Sequence, residues 1–357
     1  MAALTGAGWT TSPSADDTLR VRVEEESAAA GVRRRVTALA ERLGFAGERL
    51  EQVRLAATEA ATNLARHARR GEMILRIVRH DRTAVVEFVA FDRGPGITDV
   101  PVSLRNGYST RGTLGLGLGS IERLADQCAL YSLPGAGTVL YARFRPPGAP
   151  AGDAAAAPPF ADPPFAGLTV PIDGEEQCGD AYTARLLDGT VYALLCDGLG
   201  HGPLAARAAW EAVRAAHETA LPASPADVLM SVRQRLTPTR GGAVAVAVVD
   251  PAAGRVRYAG IGNIAGWIIA PDRRQGMISV PGIAGTTAGR IREHSYTLPP
   301  GAAVVLHSDG LTGRWSLADR PGLHLRDPLL IAATLLRDAG AHHDDRSVLA
   351  IATDGRW

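Results

Sequence analysis

A stretch of proline, alanine and glycine divides the chain and limits what it can fold into. Residues 146–167 read PPGAPAGDAAAAPPFADPPFAG, with no apolar periodicity that a core could bury. Such a composition is typical of a semi-extended linker. The chain has 357 residues, and at roughly 150 residues per domain it is expected to form two domains. We place them at residues 18–145 and 168–354, and each is long enough to bury a core.

Charge and cysteine content exclude several classes of protein. Lys and Arg number 38 against 37 Asp and Glu, so the net charge is +1 and nothing indicates a nucleic-acid or membrane-surface partner. The cysteines, Cys128, Cys178 and Cys196, have no C-x-x-C spacing, which argues against a disulfide framework or a zinc site. No signal peptide or membrane-length apolar run is present. We therefore expect a soluble, cytoplasmic protein.

Helical and strand-like patterns are mixed in both halves. The strand-like runs include MILRIVRH and AVVEFVAF in the first half, and VYALLCD, GGAVAVAVVD, VRYAGIG, AAVVLHSDG and SVLAIAT in the second. Helical periodicity predicts helices over about residues 27–43, 48–68, 203–221, 224–236 and 327–339. The fold class expected for both halves is mixed α/β (α+β).

Three motifs in the first half point to nucleotide chemistry. Glu59 and Asn63 are four apart and share one face of a predicted helix, which taken alone could be a solvated polar face. Asp92 then opens the turn DRGPGI, which contains Gly94 and Gly96. The third motif is an alternating-glycine stretch that opens a helix and so lets backbone amides approach phosphates, with Gly115, Gly117 and Gly119 as its glycines.

With these motifs, the segment from about residue 18 to 144 resembles the GHKL ATP-binding fold. The stretch TEAATNLARHARRG is most similar to the RsbT-like switch kinases and anti-sigma factors of bacterial partner-switching pathways. The resemblance implies a Bergerat-type α/β sandwich that binds ATP and Mg²⁺.

The same resemblance implies a role for each matching residue. Asp92 would hydrogen-bond the adenine amino group, with Gly94 and Gly96 in the base pocket. Asn63 would ligate Mg²⁺, and Glu59 would act as the general base on a protein serine or threonine. A hydroxyl nucleophile needs such a carboxylate, and the triphosphate needs a metal and oriented amides. The neighbouring Arg66 and His67 receive no role.

Aspartates recur in the second half beside strand-like runs. A sheet can gather such residues from distant parts of the chain into one rigid site. Any one of them alone could be a turn former. Clustered carboxylates with no cysteine or histidine set favour a hard divalent cation such as Mg²⁺ or Mn²⁺. The positions are Asp180, Asp197, Asp309, Asp344 and Asp345.

Around these aspartates, residues 168–354 resemble the metal-dependent PP2C-type phosphatases, in their SpoIIE and RsbX-like bacterial branch. The resemblance implies an α-β-β-α sandwich that holds two Mg²⁺ or Mn²⁺ ions and hydrolyses phosphoserine or phosphothreonine. His201 is tempting as a general acid, but its spacing from the preceding aspartate differs from that of eukaryotic relatives, and we expect it to be a turn residue.

Position by position, the phosphatase resemblance implies the following ligands. Asp197 would bridge the two metals, and the carbonyl of Gly198 would complete one coordination shell, so that position must be small. Asp309 and Asp344 would hold the other ion. Asp180 would bind through water or join a further ion. Asp345 is the less favoured member of its pair but could replace or support its neighbour.

The combined expectation is a partner-switching regulator that is both a Ser/Thr kinase and a Ser/Thr phosphatase. The kinase resemblance implies a STAS-domain antagonist as substrate, with a sigma factor or a downstream phosphatase as further partners. An alternative is a first half that only binds ATP, in the manner of an anti-sigma factor, and Glu59 favours the kinase over it. A sensor ATPase fits less well, because no phosphoacceptor histidine motif is present.

Overall fold

The chain folds into two compact units. The computed structural model describes residues 8–80, 83–104, 117–148, 163–271, 273–286, 289–316, 319–341 and 343–353. The first unit is Asp16–Phe160, and the second combines Met1–Ala15 with Ala161–Trp357. The chain begins with a short strand, β1 (Trp9–Thr11), that belongs to the second unit.

The first unit is an antiparallel sheet with helices packed on it. The strand order is β2-β3-β4-β6-β5. The strands are β2 (Thr18–Arg22), β3 (Glu72–His80), β4 (Thr83–Phe91), β5 (Gln127–Ser132) and β6 (Thr138–Phe144). The helices are α1 (Ser27–Arg42), α2 (Gly47–His67), α3 (Val100–Leu104) and α4 (Leu118–Leu124).

Small residues let α2 lie close to the sheet. Ala56, Ala57, Ala60 and Ala61 are buried along one side of this helix, in the same core as apolar residues of α1 and of strands β3, β4 and β6. Alanine combines high helix propensity with a short side chain, so the helix is stable and its backbone can approach the strands. The opposite edge of α2 is left for polar residues.

The second unit contains two antiparallel sheets. One has the order β14-β11-β10-β9-β8-β1 and the other is a 5-stranded sheet of order β13-β12-β15-β16-β7. The strands are β7 (Phe165–Val170), β8 (Asp180–Leu187), β9 (Thr190–Gly198), β10 (Gly242–Asp250), β11 (Arg255–Ile261), β12 (Ala265–Ile269), β13 (Arg274–Met277), β14 (Glu293–Thr297), β15 (Ala303–His307) and β16 (Arg346–Ala352).

Helices cover both sheets of the second unit. Helices α5 (Gly202–Glu218) and α6 (Pro225–Leu236) pack on the first sheet, and α7 (Pro328–Ala339) packs on β7 and β16 of the second. Apolar side chains of the two sheets interdigitate between them, with Tyr182 and Tyr258 fully buried. This is the α-β-β-α sandwich expected from the sequence. No helix among the described residues has both the length and the apolar character to cross a membrane.

The N-terminal strand was not assigned to either domain from the sequence. Strand β1 pairs antiparallel with β8, and the Trp9 ring stacks on His217 of α5 at 4.8 Å. Thr183 Oγ1 donates to the Thr10 carbonyl and lies 2.9 Å from His217 Nε2. Burial lowers the pKa of His217 to about 4, which keeps the ring neutral. These contacts make the N-terminus an integral part of the second unit.

The end of the predicted linker is also different in the structure. Strand β7 begins at Phe165, so the last predicted linker residues lie in a sheet. Phe165 is buried in the core between the sheets, and the Tyr182 hydroxyl donates to the carbonyl of Gly167. A Cβ atom at Gly167 would lie 2.6 Å from the Tyr182 ring, so only glycine fits there. The linker therefore ends before β7, and Gly167 provides close packing against Tyr182.

Candidate nucleotide and metal sites

The first unit contains a cavity of about 790 Å³ where α2 faces the end of β4. Glu59 and Asn63 of α2 line it, together with Asp92 and Gly96, which follow β4. Gly117, which precedes α4, also lines the cavity. The fold therefore brings together residues from all three motifs identified in the sequence. The volume is typical of a small-molecule or cofactor site.

Glu59 and Asn63 are partly buried at this cavity. Burial raises the pKa of Glu59, and the Asn63 amide and the positive charge of Arg66 partly oppose that effect. Nδ2 of Asn63 is buried and, although it is near enough to Glu59 to lower the pKa of that carboxyl, makes no hydrogen bond of good geometry within the described residues. The Asn63 side chain is therefore not committed to a structural hydrogen bond. A carboxylate with a raised pKa is suited to accept a proton near neutral pH.

Close backbone packing holds Asp92 in place. Its Oδ1 atom accepts the backbone N–H of Gly94 at 2.5 Å, and its own N–H donates to the carbonyl of Thr138. Gly94 packs behind Asp92, whereas Gly96 lies on the cavity wall. Gly137, which the sequence analysis missed, has a φ of +74° and would place a Cβ atom 2.0 Å from the Asp92 carbonyl oxygen.

Two further predicted glycines, and two residues to which the sequence analysis gave no role, can be placed relative to this cavity. Gly115 lies outside the described residues. Gly119 is buried within α4 rather than on the cavity wall. Arg66 and His67 do line the cavity, and Arg66 Nε donates to Glu26 at 2.8 Å in an exposed ion pair.

In the second unit, two aspartates face each other across a strand pair. Asp180 begins β8, Asp197 stands near the end of β9, and the two are directly opposite in the antiparallel register. Directly opposed residues share a face of the sheet, with Cβ atoms roughly 5 Å apart, and like charges in this arrangement repel. Both oxygens of Asp180 are buried and have no hydrogen-bond partner in the described part of the chain.

The pKa values of these two carboxyls are strongly raised. Burial is the largest cause, and it raises the pKa of Asp180 to about 7, while the nearby Ser308 and Ser347 hydroxyls partly oppose it although neither makes a hydrogen bond of good geometry to Asp180. Burial also raises the pKa of Asp197 to about 9, and the negative charge of Asp180 adds to the effect. Further carboxylates from the second sheet contribute to both shifts.

The second sheet supplies Asp309, after β15, and the pair that precedes β16. Burial and the charge of Asp344 raise the pKa of Asp309. Asp345 accepts the backbone N–H groups of Ile172 and Gly179, each at 2.8 Å, so both of its oxygens already have partners. Asp344 accepts only the N–H of its neighbour among the described contacts. Asp344, the metal ligand favoured from the sequence, therefore has fewer hydrogen bonds within the described residues than Asp345.

A residue missed from the sequence holds Asp309. Asn263, in the turn between β11 and β12, donates its amide to Asp309 Oδ2 at 2.6 Å. The turn depends on Gly262, whose φ is +96° and whose Cβ position lies 2.5 Å from Ala243. A Gly-Asn pair after a strand was the available signal. Asn263 therefore orients one of the predicted metal-binding carboxylates.

Two other expectations for this site can be compared with the geometry. A Cβ atom at Gly198 would lie 2.1 Å from the carbonyl oxygen of Ala205, so packing against α5 also requires glycine there. His201 Nδ1 lies 2.9 Å from Glu175 Oε1, and the histidine side chain is mostly exposed. The histidine thus stands at the start of α5 in contact with another side chain.

An aromatic sandwich fastens the loop that follows β15. The Arg274 guanidinium lies 4.0 Å from the ring centre of Trp267 and 4.3 Å from that of Trp315. It also donates to the carbonyls of Trp315 and Gly313. Trp267 Nε1 donates to His307 Nε2 at 3.2 Å. Cation–π contacts of this kind stabilise by roughly 0.5–2 kcal/mol each, and here they fix the chain beside Asp309.

The donor set of this site suits hard cations. All candidate side-chain ligands are carboxylates, two of them with pKa values near or above neutrality because of burial and mutual repulsion. Within the described residues, no three such side chains already meet at ligating distance of one point. An incoming divalent cation would remove the repulsion and could draw the carboxylates together. The orphaned oxygens of Asp180 are consistent with that assignment.

The first site, and all of the second except Asp180, lie in regions that match known protein families. Residues 21–144 match the histidine kinase-like ATPase domain, and residues 187–354 match stage II sporulation protein E (SpoIIE). Fold and sites together define a protein that joins a GHKL-type ATPase domain to a SpoIIE-type PP2C domain. Such domains imply ATP and divalent metal ions as cofactors. The resemblances stated from the motifs are confirmed.

A known kinase is related to the first unit. Serine/threonine-protein kinase RsbT from Bacillus subtilis (strain 168) is 34% identical over 104 residues, which cover 29% of this chain and 78% of RsbT. The chain therefore belongs, through its first unit, to the RsbT family.

Several solved structures are similar to part of the chain. One, from work on the bacterial stressosome as a modular system for secondary messenger signalling, is 28% identical with a TM-score of 0.47 and covers 52% of this chain and 97% of its own. RsbX in complex with magnesium is 17% identical, with a TM-score of 0.45 and coverages of 53% and 94%. The RsbU and RsbW domains of a Mycobacterium tuberculosis protein are 22% identical, with a TM-score of 0.44 and coverages of 53% and 59%.

Removing one repelling carboxylate is expected to stabilise the metal-free protein. Because the pKa values of Asp180 and Asp197 are raised by folding, their stability contribution is full below about pH 4 and falls as pH rises through about 7 and about 9. Asp197→Asn should therefore stabilise the second unit in EDTA by on the order of 1–3 kcal/mol, more at pH 9 than at pH 6. It should also abolish stabilisation by Mn²⁺.

The matched control is Asp188→Asn, and thermal denaturation of both variants is the measurement. Asp188 lies at the far end of the β8–β9 hairpin, and its φ of 47° suits asparagine equally well. This control should behave as wild type with and without metal. An Asp197→Asn protein that melts below wild type in EDTA, or that keeps the full Mn²⁺ effect, would contradict the carboxylate site.

Proposed function

We propose that the chain is a bifunctional partner-switching regulator. Its first unit phosphorylates, and its second unit dephosphorylates, a serine or threonine of a STAS-domain antagonist protein that controls a sigma factor or a related signalling pathway. The observation that carries the phosphatase half is the opposed, uncompensated pair Asp180 and Asp197. The kinase half rests on Glu59 beside Asn63 at a nucleotide-sized cavity and on the relationship to RsbT.

In the first unit, Asp92 and Asn63 would bind the nucleotide and its metal, and Glu59 would transfer a proton. Asp92 would bind the adenine amino group, since its carboxylate is held rigidly by the N–H of Gly94 at the cavity. The Asn63 amide would hold Mg²⁺ on the phosphates. Glu59 would accept the proton of the substrate hydroxyl, because burial raises its pKa towards neutrality. Gly117 lines the cavity and would leave room for the phosphates beside α4.

In the second unit, Asp197, the carbonyl of Gly198, Asp309 and Asp344 would hold two Mg²⁺ or Mn²⁺ ions. Asp180 would support them directly or through water. When bound, the ions supply an activated water and neutralise the phosphoryl oxygens. The protein's part is to hold the carboxylates in place, as Asn263 does for Asp309 through its 2.6 Å hydrogen bond.

The experiment that tests the shared substrate compares wild type with Asp197→Ala. Given ATP, Mg²⁺, Mn²⁺ and the antagonist, wild type should show low steady phosphorylation with continuing ADP release, because both activities act on one residue. Asp197→Ala should drive the antagonist to nearly full phosphorylation. A phosphate-retarding gel and an ADP assay suffice. Equal accumulation in the two proteins would mean that the units serve different substrates.

A second experiment distinguishes a kinase from an ATP-dependent binding module. Asn63→Ala should abolish Mg²⁺-dependent nucleotide binding, because it removes the metal ligand. Glu59→Gln should leave nucleotide affinity within about twofold of wild type and lower phosphotransfer by roughly 10²–10⁴-fold, as expected for loss of a general base. Glu51→Gln, an exposed carboxylate on the same helix, is the control. Unchanged phosphotransfer in Glu59→Gln would support the binding module instead.

A further inference from the structure

The loop that leaves the aspartate site exposes two large apolar side chains. Leu199 follows Gly198 directly and is 48% exposed, and Leu204, in the first turn of α5, is 52% exposed. Leu199 lies in the short segment that connects Asp197 to the helix, and Leu204 lies just inside the helix. Most of the described leucines of this unit are buried. Exposed apolar residues that cluster beside a site commonly contact a partner.

The side chain of Arg240, from the segment before β10, rests against this loop. Arg240 precedes β10, whose first residue pairs with Gly198, and the pairing continues as the N–H of Leu199 donates to the Gly241 carbonyl. Nη1 of Arg240 lies 3.3 Å from the Cβ position of Gly200, so the guanidinium rests against the loop. Arg240 is exposed and makes no ion pair with any described residue.

His201, the polar side chain within this loop, already has a partner in the protein. His201 contacts Glu175, and the Glu175 carboxylate also lies 3.1 Å from the Cβ position of Gly202. His201 is therefore held by an internal contact, whereas Arg240 has no ion pair among the described residues and the two leucines are exposed. An uncompensated cation and two apolar side chains together match a polypeptide that carries both apolar and acidic residues.

We propose that Leu199, Leu204 and Arg240 form a docking rim for the polypeptide on either side of a phosphorylated serine or threonine. The inference rests on the proposed phosphatase function and adds how that site selects protein substrates. Apolar side chains of the substrate pack on the two leucines, and an acidic side chain pairs with Arg240. The rim is outside the carboxylate set, so it contributes to binding of the flanking chain and not to hydrolysis.

The rim should affect the binding of protein substrates but not of small phosphate esters. An aryl phosphate such as p-nitrophenyl phosphate has no flanking polypeptide and cannot reach the rim. A phosphorylated protein engages both the metal site and the rim, and loss of such binding raises KM while kcat stays the same. The two classes of substrate therefore separate the rim from the catalytic residues.

The test measures kcat and KM for p-nitrophenyl phosphate and for phosphorylated casein, an acidic phosphoseryl protein, at saturating Mn²⁺. In the double variant Leu199→Ser/Leu204→Ser, kcat/KM for casein should fall on the order of tenfold through KM. Arg240→Gln should lower it roughly threefold, with a weaker dependence on salt than wild type. Hydrolysis of p-nitrophenyl phosphate should stay within about twofold of wild type in both variants.

The controls remove the same chemical groups elsewhere on the second unit. Leu186→Ser alters a leucine that is 44% exposed near the far end of β8, and Arg255→Gln removes an exposed charge from the far end of the β10–β11 hairpin. Both should hydrolyse casein as wild type does. A parallel loss of both substrates in the rim variants, no loss on casein, or an equal loss in the controls would overturn the docking rim.

Binding without turnover separates failure of the rim from failure of the proposed function. In EDTA, the affinity of the full chain for phosphorylated casein should fall in Leu199→Ser/Leu204→Ser and stay unchanged in Leu186→Ser. A wild-type chain that hydrolyses neither probe with Mn²⁺ would contradict the phosphatase function, while this binding difference would still support the rim. Equal affinity of the two variants would overturn the rim whatever the hydrolysis result.

Discussion

The repulsion between Asp180 and Asp197 is the constraint on which the second unit depends. Two carboxylates stand directly opposite each other at the end of a strand pair, buried, with the oxygens of Asp180 unpartnered among the described residues. The second sheet adds Asp309 and Asp344 rather than a compensating arginine. An arrangement that raises carboxyl pKa values to about 7 and about 9 is unfavourable for stability alone. Bound divalent cations would neutralise the carboxylates and make the same arrangement favourable.

In the first unit, by contrast, a buried carboxylate is neutralised by arginines. Glu87 is fully buried, but Arg76 and Arg143 both contact it, and their charges hold its pKa below the usual value even though burial opposes them. A carboxylate neutralised from within needs no ligand. The contrast supports our proposal that buried polar groups without full compensation, such as Asp180 in the second unit and Asn63 in the first, are positions where a cofactor or substrate binds.

Local motifs could be predicted from the sequence, and contacts between distant segments could not. The four-residue spacing of Glu59 and Asn63 fixes their common face as soon as α2 forms, and an aspartate at the end of an apolar strand must lie at a sheet edge. Asn263 could not be identified, because its role depends on Asp309 from another strand. Strand β1 is only 3 residues long and pairs with β8, which is far along the chain. Such a strand has no local sequence pattern from which it could be predicted.

The measurement that tests the central claim most directly is proton release on metal binding. Calorimetric titration of Mn²⁺ into the metal-free chain at pH 7.5, in buffers of different ionisation enthalpy, reports how many protons leave the site. With pKa values of about 7 and about 9, the Asp180–Asp197 pair holds at least one proton that the cations must displace. The account predicts release of about one proton per chain, and markedly less in Asp197→Asn. Saturable binding without proton release, or no binding at all, would contradict it.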